Sequence, residues 1–107
     1  MSLTVVVTRD VQNRYRGFLG SVMLEVSAGV YISPRLNAGV RNRIWNVMSD
    51  WHSHLQRGAI IMSWSSPEEP GGVGLRILGE PPKTLSVVDG MLLVRRAVGS
   101  SDGSLTR

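Results

Sequence analysis

Two stretches of this chain repeat their apolar residues at the period of a helix, and short β-prone runs bracket both. In the first stretch these residues are Val11, Tyr15, Phe18, Leu19, Val22, Met23 and Val26, spaced by steps of three, four and one. In the second they are Val40, Ile44, Val47, Met48, Trp51 and Leu55. Such spacing puts a continuous apolar stripe on one side of each helix. Asn13 is the expected N-cap of the first helix, and Asn37 or Ser33 that of the second. Gly58 follows Arg57 where a C′ glycine would end the second helix. Gly17 and Gly20 weaken the first helix by roughly 1 kcal/mol each relative to Ala and suggest close approach by another element.

Leu3–Thr8 is β-branched from Thr4 onward and reads as a central strand buried on both faces. Val26–Ile32 reads as one strand kinked at Gly29, followed by a turn at Ser33–Leu36. Ala59–Trp64 is the next strand, and the turn-rich Ser65–Gly72 should return the chain as a hairpin into Val73–Leu78. Gly79–Lys83 is a loop. Leu85–Val94 is a last extended segment broken at Asp89-Gly90, and the polar Gly99–Arg107 reads as a disordered tail.

Strand, helix, strand, helix and then three strands within 107 residues leave room for one domain, placed at 1–98. The order predicts an α+β sandwich of ferredoxin-like type, two helices on one face of an antiparallel sheet, with extra C-terminal strands at its edge. With no cysteine, a disulfide framework, a thiolate metal site and a cysteine nucleophile are all excluded. No apolar run approaches the ~18 residues of a membrane span, and Met1–Thr4 lacks the basic start of a secretory signal. The expected compartment is the cytoplasm.

Charge is distributed unevenly. Residues 1–66 carry seven arginines against Asp10, Glu25 and Asp50, which accounts for the whole net charge of +4, while residues 67–107 are neutral. Lys83 is the only lysine. An arginine-dominated half suits phosphate, because the guanidinium fork matches its oxygens two at a time. The alternative is a solvated basic face. Arg14 and Arg16 sharpen the choice. Both fall in the first turn of the first helix, just after Arg9, where cations oppose the helix dipole by ~0.3–1 kcal/mol each. An anion docked there would reverse that cost.

Catalytic constellations are absent from the pattern. Asp10 is a lone acid beside Arg9 and reads first as a cap, then as a weak catalytic or metal candidate. His52 and His54 are two apart on a helix, the wrong spacing for a shared ligand face. Glu68 and Glu69 lie in a turn, solvated or facing a partner. Trp45, Trp51 and Trp64 fall on apolar stripes and read as packing residues before base-stacking ones.

Leu3–Gly17, Leu24–Tyr31, Ile44-Trp45, Met62–Trp64 and Asp89-Gly90 with Leu93-Val94 together resemble CRISPR-associated protein 2 of the type I-E subtype. The specific parts are the Val-Val-Val-Thr start and the Leu-Glu-Val-Ser-Ala-Gly-Val-Tyr run. This resemblance covers roughly residues 1–96. It implies a homodimer at the centre of a spacer-acquisition complex, flanked by the integrase, CRISPR-associated protein 1, and supporting a protospacer duplex. Arg14 and Arg16 match the family's phosphate-binding arginines, with Arg9 and Lys83 as further DNA-binding candidates. A pair of arginines in the family's loop after strand four is here Glu80-Pro81-Pro82-Lys83. Glu69 and Asp89 match acidic positions facing the integrase, and Leu92 and Val94 supply an apolar strand for the same contact. Family members are also described as Mg2+-dependent endonucleases on RNA or DNA, through an acid that would here be Asp10 from each subunit. The family's acid directly follows Thr8, where this chain has Arg9. The resulting expectation is a scaffold that requires no cofactor, with the endonuclease as the alternative.

Overall fold

The computed structural model describes residues 2–79, 84–88 and 91–95. Strand β1, Ser2–Arg9, takes the centre of a five-stranded antiparallel sheet of order β2-β3-β1-β4-β5. Its neighbours are β3, Val30–Leu36, and β4, Ala59–Ser65. Strand β2, Leu24–Ser27, forms one edge and β5, Val73–Leu78, the other. Helices α1, Asn13–Val22, and α2, Ala38–His54, connect β1 to β2 and β3 to β4. The first four strands and two helices are a ferredoxin-like sandwich, and β5 widens it by one strand.

The helix stripes meet the sheet over Val6, Tyr31, Ile60 and Met62. Tyr15 and Leu19 from α1 and Ile44 and Met48 from α2 close the core from above. Trp51 joins the two helices, edge-on to Tyr15 at 5.2 Å and to Phe18 at 5.5 Å between ring centroids. Aromatic pairs prefer this arrangement. Trp64 is buried beneath α2 and stands opposite Gly74 in the β4–β5 register. A Cβ at Gly74 would collide with the indole, so only glycine lets the ring lie across β5.

Several local expectations change. The segment Val26–Ile32 is a hairpin, not one kinked strand: Gly29, at φ 77°, turns the chain between β2 and β3. Strand β3 then runs through Ser33–Leu36, so no turn forms there. Gln12, not Asn13, is the N-cap residue of α1, and its side chain makes no capping bond. Asn37 does cap α2, accepting from the Val40 N–H at 2.8 Å. Helix α2 ends at Leu55, so Gly58 is not its C′ residue. Gly58 instead adopts φ 81° where a side chain would collide with the carbonyls of Arg9 and Asp10. Gly17 and Gly20 have open space beside them, and no described element packs closely there.

β1 is central, but among the described residues it is covered on one side only. Thr4 and Val6 are fully buried, whereas Leu3 is 50% and Val7 39% exposed. Both helices lie on the same face, and the register places Val5, Ile32, Ile61 and Ile77 together on the other. Strands β6, Thr84–Val88, and β7, Met91–Arg95, pair with each other as a separate two-stranded sheet rather than at the margin of the main one. β7 passes the 3-10 turn at Pro70–Gly72. The tail from residue 99 lies outside the described residues. No described helix is long and apolar enough to cross a membrane.

Candidate phosphate-binding site at the start of helix α1

Three chain segments meet where β1 ends. Thr8 at the end of β1 accepts Gly29 into the sheet: its N–H donates to the Gly29 carbonyl at 2.8 Å and its hydroxyl at 3.1 Å. The Gly29 N–H in turn donates to Glu25 Oε2 at 3.2 Å. Glu25 then holds Arg16, at 3.5 Å between Oε2 and Nη2. This relay fixes Arg16 over an open cleft of 320 Å³ lined by Thr8, Arg9, Asp10, Val11, Arg16, Ala28 and Gly29. The Tyr31 hydroxyl and the Glu25 carboxylate hold the Arg16 guanidinium above its ordinary range. That hydroxyl is buried and lies near the guanidinium without a well-formed hydrogen bond.

Arg14 is positioned differently. Its guanidinium carbon lies 4.1 Å from the Trp51 ring centroid, a cation–π contact that leaves its N–H edges in solvent. Trp51 thus serves both the core and this arginine. Beneath them, Tyr15 is fully buried, and burial raises its phenol pKa against a smaller lowering by Arg14. The first turn of α1 contains no acid, and no side chain caps it. Free backbone donors and two cations therefore share one end of the helix, a combination that favours an anion.

Asp10 adopts left-handed backbone, at φ 57°, and Gly58 packs against its carbonyl. Its carboxylate neither caps α1 nor faces another acid. It accepts from Arg57 Nη2 at 3.0 Å across 47 residues of sequence. Among the described residues, no three His, Cys, Asp or Glu side chains come together as a cation site. One carboxylate already engaged by a guanidinium does not fit a divalent cation within this single chain. His52 contacts the Gly58 carbonyl at 3.4 Å and His54 the Asp50 carbonyl at 2.8 Å, so they serve the end of α2.

The structure brings Arg9, Arg14 and Arg16 to one end of the sheet. Glu69 is exposed at the other, in the β4–β5 turn. Lys83 and Asp89 lie outside the described residues, and Leu92 and Val94 are placed only as members of β7. Sequence reading missed the three partners that organise the site: Glu25 for Arg16, Trp51 for Arg14, and Arg57 for Asp10. Only Trp51 had a signal in the chain, since its stripe faces the one bearing Tyr15.

A ferredoxin-like sandwich widened by a fifth strand defines a class of small α+β proteins. Comparison with known families narrows it. The CRISPR-associated protein family Cas_Cas2CT1978 matches residues 3–93. The chain belongs to this family of CRISPR-associated proteins similar to CRISPR-associated protein 2.

Proposed function

We propose that this protein is the non-catalytic scaffold of a type I-E spacer-acquisition complex, holding duplex DNA through its phosphates. The observation that carries this reading is the pairing of Arg14 and Arg16 at a helix start with neither an acid nor a cap. Contacts of that kind carry charge and position but no base sequence, as a scaffold for variable spacers requires. The Arg16–Glu25 pair is half-exposed and contributes only ~0–1 kcal/mol, so a phosphate can displace it readily. Trp51 holds the Arg14 guanidinium by its face and leaves its edges for phosphate oxygens.

Two further parts of the reading concern assembly. The apolar sheet face is covered by a second copy of the chain, which explains why a β-branched run lies half bare in one protomer. The β6–β7 hairpin, marginal in isolation, docks on the integrase, with Glu69 and Asp89 meeting basic residues there. The endonuclease reading gains nothing from the geometry, because no cluster of acids or histidines gathers around Asp10 among the described residues.

The test is duplex binding across a salt series. Wild-type affinity should fall with a log–log slope of ~0.9 per phosphate neutralised. The double variant Arg14→Ala, Arg16→Ala should bind all sequences more weakly and with a shallower slope. An unchanged slope would remove these residues from the interface. Mg2+-dependent cleavage abolished by Asp10→Ala would establish the alternative instead.

A further inference from the structure

A second arginine cluster lies at the opposite end of the sheet and is independent of the duplex reading. Arg41 leaves the first turns of α2 and places its guanidinium carbon 4.1 Å from the Trp64 ring centroid. Arg76 on β5 approaches the same ring at 5.5 Å. Neither has a carboxylate within ion-pair distance among the described residues. Arg76 donates to Asn42 Oδ1 at 2.6 Å, a neutral partner that orients the cation without cancelling it. Arg41 Nε is buried and makes no hydrogen bond. Burial, and secondarily the charge of Arg76, lower the Arg41 pKa. Two like charges thus share one aromatic ring, one of them partly buried with a donor unused. An oxyanion beside Arg41 would offset that repulsion.

An open cleft of 350 Å³ beside Arg41 and Trp64 provides the space, with Ser65, Ser66 and Glu68 on its wall. The serines offer hydroxyl donors. Glu68 decides what kind of anion fits. A polyanion laid along this surface would bring successive phosphates against Glu68 and Glu69, whereas one carboxylate can meet Arg41 and leave Glu68 to an adjacent cation.

We infer that the Arg41–Trp64–Arg76 cluster binds a single carboxylate, an acidic side chain of a protein partner. The site is rigid because Trp64 lies across Gly74, and Gly74 admits no side chain. Rigidity matters here: a guanidinium already stacked loses little freedom when a carboxylate arrives.

The measurement is an NMR titration of the full chain, following the Trp64 indole N–H and the Arg41 Nε–H. The probe is the capped dipeptide acetyl-Asp-Gly-amide, with sodium chloride at matched ionic strength as control and a 20-base-pair duplex as the competing source of oxyanion. The dipeptide should give saturable shifts at both resonances. Arg41→Lys, which keeps the charge and loses the Nε donor, should weaken binding at least tenfold. Glu68→Gln should tighten it several-fold, and Arg14→Ala should leave it unchanged. Shifts no larger than those of chloride, or an unaltered affinity in Arg41→Lys, would overturn the inference. Saturable shifts with the duplex but not the dipeptide would reassign the site to nucleic acid.

Discussion

Gly74 and Tyr15 show how much single residues decide here. Placing a methyl group at Gly74 drives it into the Trp64 ring, so Gly74→Ala should cost about 1–3 kcal/mol in chemical denaturation. Tyr15 behaves in the opposite way. Its hydroxyl is buried without a partner, and burial keeps the phenol neutral at pH values where an unfolded chain would ionise. The folded pKa is raised, so the fold is at full strength below about pH 10 and loses stability as pH rises through the folded value. Tyr15→Phe should therefore flatten the alkaline limb of a stability–pH profile and cost little at neutral pH, as read by thermal unfolding between pH 8 and 11. The Asp10–Arg57 pair is exposed on both sides. Its removal by Asp10→Asn should change stability by no more than ~1 kcal/mol. The same variant should bind duplex more tightly, since it deletes the one acid lining the α1 cleft.

Among the elements, β1 carries the sharpest assembly prediction. Val7 lies in the middle of the bare sheet face, 39% exposed. Val7→Asp should leave the circular dichroism of the fold intact and convert a dimer to a monomer in sedimentation; an unaltered dimer would place the interface elsewhere. Both helices, strands β1, β4 and β5 and the β4–β5 hairpin were legible from the chain, because their apolar spacing follows the element period and their turns are marked by Pro and Gly. The β2–β3 hairpin was not. Ala28-Gly29 is a minimal turn with apolar residues on both sides, so its two strands read as one. The α1 cap was misplaced by one residue because Asn13 is a good capping residue in general. Here the chain enters from left-handed Asp10, and that entry is fixed by Gly58, far away in sequence. Site arginines stood out as cations in the wrong half of a dipole. Their partners depend on register and helix packing, which no local pattern encodes.

For the molecule as a whole, the ferredoxin-like order separates two basic sites by the length of the sheet, roughly 25 Å for an eight-residue strand. They should respond to mutation independently, with effects that add within ~0.5 kcal/mol. The double variant Arg14→Ala, Arg41→Lys should therefore show the duplex defect of one and the carboxylate defect of the other, with no coupling. Helix α1 begins without a cap, and this has a dynamic consequence. A phosphate seated between Arg14 and Arg16 would complete the helix as well as bind it, taking the place a serine or aspartate side chain fills elsewhere. Amide hydrogen exchange at Asn13 and Arg14 should then slow on duplex binding while the middle of α2 is unaffected, so that the ligand is read out as order at the end of one helix.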